Sequence, residues 1–345
     1  MAITSYTGLK TYVLQTEDSA WGTAGTPSGS DYLDKVTSAS WSMENNMMRL
    51  QGIGEGRNAT HATAMQLDCT GTIEWQVTDP DFMKYCVIGT STGSGTQAAP
   101  YRIYEAERIG YDADEVKTLT LEMGSAESTA DVMTFDGVCI NSFTLNGEVG
   151  NPITATCEWV GRTGTSSTAA ETYVGPVNRP FVYIDGQLQW GGEKIGLVQS
   201  FSITCANNLD VFGDFDTRLI SQPEPGIRRY DISMTVRMHK DTAGSITDGI
   251  ELRSVAFDGT KTSTTPVDSA DFTASDFKII LEEGTAATDR NFTIQFENAY
   301  ITTFNPTVET EGGVIQATIT AYALAGKTDD LDSDYKAPFT WFTYA

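Results

Sequence analysis

The stretch INSFTLNGEVGNPITATCEWVG (Ile140–Gly161) decides the fold, because a similar stretch, ITTFNPTVETEGGVIQATITAYALAG (Ile301–Gly326), returns near the end of the chain. In both stretches an apolar residue occupies every second position, over Ile153–Trp159 in the first and Ile315–Ala321 in the second. Such alternation is typical of a strand with one buried face. The matching residues lie 162 positions apart, so the sequence predicts the same β-hairpin twice in one chain.

Three further pairs of segments indicate an internal duplication. They are SASWSMENN (Ser38–Asn46) with SFSITCANN (Ser200–Asn208), LTLEMG (Leu119–Gly124) with IILEEG (Ile279–Gly284), and YVLQTEDSAWG (Tyr12–Gly22) with FVYIDGQLQWG (Phe181–Gly191). In the first pair the apolar residues keep the same parity, so the same face is buried in each copy. Trp159 in the first copy is Ala321 in the second, so these two positions cannot be packed identically.

Each copy also carries one short helix signal. DPDFMKYCVIG (Asp79–Gly89) opens with an Asp cap followed by Pro, TDGIELRSVAFDG (Thr247–Gly259) opens with Thr-Asp, and both end at Gly. The chain is therefore predicted to be mainly β, with two tandem β-sandwich or β-barrel domains, each with one short α-helix and one long protruding loop. The predicted parts are an N-terminal arm (1–35), a first domain (36–164), a linker with a lead-in strand (165–197), a second domain (198–326) and a C-terminal tail (327–345).

A long, polar, glycine-bearing segment follows each Asn pair. These segments are MMRLQGIGEGRNATHA (Met47–Ala62), here called the first arm, and LDVFGDFDTRLISQPEPGIRR (Leu209–Arg229), the second arm. Segments of this length inside a compact domain are usually functional. Each is predicted to be a protruding hairpin or arm, whereas GTSTGSGTQAAP (Gly89–Pro100) is predicted to be a flexible loop.

The chain is strongly acidic, with 46 Asp and Glu against 22 Lys and Arg and a net charge of −24. This charge repels phosphates, which argues against a protein that grips nucleic acid. Because the charge is scattered and Lys is scarce, the surface suits concentrated salt and indicates a halophilic source. The polar start, MAITSYTGLKTY, and the absence of an apolar run of about 20 residues predict neither an export signal nor a membrane span.

No motif in the sequence supports catalysis. Gly89–Gly93 fits the nucleophile-elbow pattern, but that pattern needs a histidine partner, and the chain has only His61 and His239. Gly52–Gly56 lacks the flanking strand and helix of a phosphate-binding loop. The chain is therefore predicted not to be an enzyme and to use no cofactor.

Metal binding and disulfide bonding are not predicted either. The triplet Asp330, Asp332 and Asp334 imitates a calcium loop, but Tyr335 stands where that loop needs glycine. The five cysteines are odd in number and widely spaced, so they are expected to be buried thiols.

The order of these features resembles that of the tail tube (major tail) proteins of long-tailed viruses, with the tube domain duplicated in one chain. The shared features are a strand that ends in the Asn pair, an extended loop with Arg and Gly, a strand and a short helix that ends in Gly, and a terminal hairpin with alternating Thr and Ala. The resemblance spans most of residues 36–164 and 198–326. Together with the acidic composition, it indicates a virus of a halophilic archaeon as the source.

The resemblance implies a structural protein of the virion tail, assembled in the host cytoplasm. Its partners would be copies of itself in stacked rings, other tail proteins at the tube ends, and DNA that passes through the lumen without specific binding. Two domains per chain would give a homotrimeric ring with pseudo-sixfold symmetry. The arms would then grip a neighbouring subunit or ring, through Arg49, Gly52, Gly54, Arg57, Arg218, Arg228 and Arg229.

Two other readings remain open at this point. A tail-tip, baseplate or adhesin protein built from two β-sandwiches would need exposed binding loops, for which the aromatic terminus DSDYKAPFTWFTYA (Asp332–Ala345) is the best candidate. A β-sandwich hydrolase is opposed by the missing catalytic triad.

Overall fold

The structure is a computed structural model that describes residues 11–33, 35–51, 61–78, 82–86, 89–92, 101–105, 117–125, 128–167, 178–240, 246–258, 260–266, 274–284, 289–308, 315–324 and 339–342. The strands of the first half are β1 (Thr11–Glu17), β2 (Lys35–Glu44), β3 (Met47–Leu50), β4 (His61–Ala64), β5 (Asp68–Gln76), β6 (Gly89–Thr92), β7 (Tyr101–Glu105), β8 (Leu119–Ser125), β9 (Ser128–Glu148), β10 (Thr154–Gly161) and β11 (Thr163–Ser167). Those of the second half are β12 (Gly186–Trp190), β13 (Glu193–Lys194), β14 (Val198–Ala206), β15 (Arg229–Arg237), β16 (Ser275–Glu282), β17 (Asn291–Thr307), β18 (Gln316–Leu324) and β19 (Phe339–Phe342). The helices are α1 (Met83–Cys86) and α2 (Gly249–Asp258), so the predicted mainly β class is confirmed.

One antiparallel sheet, here called the main sheet, runs through both halves of the chain. Its strand order is β2-β5-β10-β9-β14-β15-β18-β17. The two halves meet where Ser142–Glu148 of β9 pairs with Ser200–Ala206 of β14. Among the described residues, the main sheet ends in two free edges, β2 on one side and the later part of β17 on the other.

Two flanking sheets cover the apolar face of the main sheet. The first has the order β1-β8-β9-β11 and the second β13-β12-β16-β17-β19-β7-β6. The long strands β9 and β17 belong to both layers, because their early residues pair in a flanking sheet and their later residues in the main sheet. Helix α1 packs against β9 and α2 against β17. The buried apolar side chains of both halves form one continuous core.

The pairing registers of the two halves match closely in the main sheet. The bulge at Thr37 between β2 and β5 recurs at Gln199 between β14 and β15, and the bulge at Asn141 in β9 recurs at Thr302 in β17. The second Asn of each pair also has a positive φ, 41° at Asn46 and 49° at Asn208. Asparagine tolerates this conformation because its short polar side chain bonds locally, and Asn46 Nδ2 donates to the Gln66 carbonyl at 3.2 Å while Asn208 Nδ2 donates to the Ile227 carbonyl at 2.6 Å.

In the flanking sheets, alternation led to a wrong match between segments of the two halves. Relative to the bulges of β9 and β17, Phe135 and Phe296 hold the same place, and their partners are Leu121 and Phe277. LTLEMG therefore corresponds to SDFKII (Ser275–Ile280), not to IILEEG. A shift of an even number of residues keeps the same face buried, so the sequence pattern does not detect it.

The segment Gly89–Pro100 is not a flexible loop throughout. Its first four residues form β6, which pairs with β7, and β7 in turn pairs with β19. Within the C-terminal tail, Phe339–Phe342 is a sheet strand between β17 and β7 rather than part of an exposed loop.

The helix signal of the second half is confirmed in detail. The Asp248 carboxylate accepts from the Ile250 and Glu251 amides at 2.9 and 2.8 Å, and Glu251 Oε2 accepts from the Asp248 amide at 3.1 Å. This reciprocal arrangement is a capping box, which satisfies the free N–H groups of the first turn. In the first half, Asp79 and Pro80 lie outside the described residues.

The mismatch of Trp159 and Ala321 is balanced by their partners in the neighbouring strand. Trp159 lies opposite Gly71, whereas Ala321 lies opposite Ile232. A Cβ atom on Gly71 would come within 2.3 Å of the indole of Trp159. Each pair therefore combines one large and one small side chain, in opposite order, and fills a similar volume.

Gly71→Ala is expected to lower the free energy of unfolding by about 3 kcal/mol, because the new methyl overlaps both the indole of Trp159 and the carbonyl oxygen of Ser40. Gly186→Ala is the matched control, since its Cβ would meet no atom closer than 3.4 Å. Chemical denaturation measures both. Removing the indole with Trp159→Ala should shrink the cost of Gly71→Ala, and strictly additive effects would contradict the packing account.

Candidate assembly interface

The apolar face of β2 is exposed, although the same face of its counterpart β14 is buried. Trp41 is 46% exposed, and Ala39 is exposed as well. In β14 the equivalent side chains, Ile203 and Phe201, are buried in the core beside β9. Trp41 still packs on Phe135, with ring centres 5.5 Å apart, and Val36 and Met43 pack against the core, so this face is only partly covered. A partly covered apolar face gives β2 the character of an interface strand.

The free edge of β17 is also less buried than its counterpart in β9. Phe304 is half-buried and Val308 is 66% exposed, whereas Phe143, the counterpart of Phe304, is fully buried. Both free edges therefore present apolar side chains whose counterparts at the β9–β14 junction are buried.

Pro306 lies in this free edge without disturbing the sheet. At the junction, the Val149 amide donates to the Gln199 carbonyl at 3.0 Å, so odd-numbered residues of this part of β9 turn their N–H groups toward β14. Pro306 takes the place of Leu145 and therefore turns its nitrogen toward the free edge, away from β18. Proline is tolerated at such an edge position, and it limits unspecific pairing there.

Asn207 is 1% exposed and forms hydrogen bonds across the junction between β9 and β14. Its Nδ2 donates to the carbonyls of Cys86 and Ile140 at 2.8 Å each, and its main-chain N–H donates to the Asn141 carbonyl at 2.8 Å. Arg228 Nε donates to Asn207 Oδ1 at 2.9 Å. The side-chain nitrogen and oxygen of Asn207 thus all have hydrogen-bond partners, and these bonds stabilise the contact between the two halves.

The arms project from one end of the main sheet. In the first arm, β3 and β4 form a separate, exposed hairpin. The second arm is a looser hairpin, in which Asp210 and Glu224 exchange main-chain hydrogen bonds of 2.8 and 3.1 Å. Near its tip, Arg218 donates to the Met65 carbonyl and to Asn45 Oδ1, both at 2.8 Å. The second arm therefore lies against the base of the first arm in the same chain.

Of the seven predicted interface residues, Arg218 contacts the first half directly, and Arg228 orients Asn207, which bonds to the first half. Arg49 and Arg229 are exposed at the start of the arm hairpin and of β15. Gly52, Gly54 and Arg57 lie outside the described residues. The roles of these residues in assembly stay predictions.

A buried ion cluster between the halves was not predicted. Arg290 is 5% exposed, contacts Glu283 Oε2 at 2.8 Å, lies 4.8 Å from the ring centre of Phe181, and donates to the carbonyls of Thr78 and Arg179. The hydrogen bond from Arg290 lowers the pKa of Glu283 below its ordinary value. The sequence carried no signal for this, because Glu283 looks like one more surface acid.

The described residues offer no reactive centre. They contain no group of three or more His, Cys, Asp or Glu that could hold a metal ion. Burial raises the pKa of Cys69 and of Cys139 to about 12, and all five cysteines are free and buried, as predicted. Gly89–Thr92 is a strand rather than the turn that a nucleophile elbow needs, and Asp330, Asp332 and Asp334 lie outside the described residues. No described helix is long and apolar enough to cross a membrane.

Comparison with known proteins agrees with an assembly role. A family model described as phage tail tube protein matches residues 8–323, and a search of curated proteins finds no match. The matched residues include the main sheet, both arms and both helices. Proteins of this family are structural components of the virion tail, where they self-assemble into a tube and meet other tail proteins. Because the match spans most of the chain, this protein belongs to the phage tail tube protein family.

Proposed function

We propose that this protein builds the wall of the tail tube as closed rings that stack on one another, and that each chain supplies two neighbouring places in a ring. The β9–β14 junction carries this proposal, because it joins two halves of matching register inside one chain. The halves correspond to the domains at 36–164 and 198–326, a tandem duplication of one tube domain. Three chains then give a ring with pseudo-sixfold symmetry.

The junction also supplies a template for the contact between chains. Transferred to the free edges, its register places Met43 opposite Phe304 and Ala39 opposite Val308. The apolar side chains of β2 would then be covered by β17 of the next chain, as those of β14 are covered by β9. Repetition of one such contact around an axis closes a ring, and stacking of rings gives a tube.

The opposite face of the main sheet is the proposed lumen wall. Apart from the exposed apolar residues at the free edges, the apolar face is covered by the helices and the flanking sheets, so the polar face is the one available to line a channel. Across the centre of the sheet this face carries hydroxyl and amide side chains: Ser40, Thr72, Thr156, Thr144, Thr204, Ser233, Thr318 and Asn305. Uncharged or acidic groups do not retain phosphates, so DNA would slide without specific binding.

The arms would connect one chain or ring with the next. The contact of Arg218 with the base of the first arm supports this, because a first arm with Arg49 and Arg57 could make the corresponding contact on a neighbour. Charged side chains in such a contact would fix its register.

Electron microscopy and native mass spectrometry of the purified protein test the ring. We expect annular particles with a sixfold outline and a mass of three chains of 37.4 kDa, together with stacked tubes at higher concentration. Rings of six chains would contradict the two-places-per-chain arrangement. A protein that stays monomeric in molar salt, even when tail initiation components are added, would contradict the ring itself.

A further inference from the structure

Asn45 directly follows β2 as Asn207 directly follows β14, but its surroundings differ. Each comes directly before an asparagine with positive φ, Asn46 or Asn208. Asn207 is 1% exposed and holds the two halves together, whereas Asn45 is exposed at the free edge. One half of the chain therefore uses this amide, and the other presents it to solvent.

The amide of Asn45 is already oriented. Arg218 Nη2 donates to Asn45 Oδ1 at 2.8 Å, as Arg228 Nε donates to Asn207 Oδ1 at 2.9 Å. A guanidinium only donates hydrogen bonds, so the atom that it contacts must be the amide oxygen. The Nδ2 donors of Asn45 then point away from Arg218, and among the described residues they have no partner.

The other free edge has the acceptors that such an amide needs. Asn207 Nδ2 bonds to the carbonyls of Ile140, next to the bulge of β9, and of Cys86, at the end of α1. Ile301 stands next to the corresponding bulge of β17, and α2 packs on β17 as α1 packs on β9. We propose that Asn45 of one chain inserts its amide between the Ile301 carbonyl and the last turn of α2 of the next chain.

This contact, which rests on the ring proposed above, would fix the register of the interchain ladder. Pro306 removes one ladder bond at this edge, and the polar face of β2 repeats the same residue at Ser38, Ser40 and Ser42. A slip by an even number of residues keeps the same faces together, so alternation alone specifies this register weakly. An oriented amide that fits a single bulge specifies it strongly, because a slip would bury its donors without acceptors.

Asn45→Asp is the sharpest test. The aspartate keeps the contact with Arg218 but replaces the Nδ2 donors with an acceptor that faces carbonyl oxygens. We expect the critical concentration for ring formation to rise about 100-fold with Asn45→Asp and about 10-fold or more with Asn45→Ala, because two buried acceptors lose their donor. Asn178→Asp adds the same charge at another exposed site and should assemble normally. Sedimentation velocity over a dilution series measures assembly.

The outcomes separate the two proposals. If the wild type forms rings and Asn45→Asp has the same critical concentration, the Asn45 contact is refuted while the ring stands. If the wild type forms no rings, the ring proposal fails first. The melting temperature of the dilute monomer should be unchanged by Asn45→Asp, and a loss of assembly that merely follows a loss of monomer stability would also overturn the contact.

Discussion

Ala39→Pro is expected to abolish ring and tube formation while leaving the folded monomer intact. Ala39 is exposed in the edge strand β2. In the counterpart β14, the Gln199 carbonyl accepts from the Val149 amide, so the odd-numbered residues of β14 face β9 and the even-numbered ones face β15. Because β2 matches β14 at an even offset, its odd-numbered residues, including Ala39, face the free edge. A proline at position 39 therefore removes an N–H that no described strand uses, and its ring blocks the approach of another strand.

Ser40→Pro is the matched control, because the N–H of Ser40 faces β5 inside the chain. It should cost about 3 kcal/mol of monomer stability, since it removes an internal ladder bond and places a bulky ring against the next strand. Electron microscopy shows assembly and thermal melting shows monomer stability. Normal tubes from the Ala39→Pro variant would mean that β2 is not the contact between chains.

The parts of the fold that the sequence predicted correctly are those that depend on period and local chemistry. Alternation identified the strands of the terminal hairpins, and the Thr247-Asp248 start predicted the cap of α2. The Asn pairs marked both strand ends because asparagine tolerates a positive φ. These signals act over a few residues, so they can be recognised in the sequence without knowledge of the fold.

The parts that the sequence did not predict depend on contacts between distant segments. Alternation does not determine which strand lies beside which, so it could not identify β9 and β14 as the strands that join the two halves. The predicted match of LTLEMG with IILEEG was wrong for the same reason, since a shift by an even number of residues keeps the same face buried. The compensation of the large Trp159 by the small Gly71 could not be predicted without knowing that these two residues lie opposite each other. The interface residues that the sequence named all lie in the arms, whereas the topology identifies which strands form the free edges, namely β2 and β17.

Arg290→Met is expected to lower the free energy of unfolding by about 3 kcal/mol, because it removes one partner of a largely buried ion pair and the hydrogen bonds that Arg290 donates to two main-chain carbonyls. Methionine keeps the length of the apolar stem over Phe181, so the change tests the charge and its hydrogen bonds rather than the packing. Lys117→Met is the control. Lys117 pairs with Glu17 at 2.6 Å in a solvent-accessible place, and its loss should cost about 0.5 kcal/mol.

The pH dependence distinguishes the ion pair from simple packing. Because Arg290 lowers the pKa of Glu283 from its ordinary value of 4.5, the pair stabilises the folded state fully above that value and loses its effect as the pH falls through the lowered pKa. The stability difference between the wild type and Arg290→Met should therefore be largest at neutral pH and should shrink in acid. Urea denaturation at several pH values measures it, and a difference that is constant across this range would assign the role of Arg290 to its bonds with the main-chain carbonyls rather than to the ion pair.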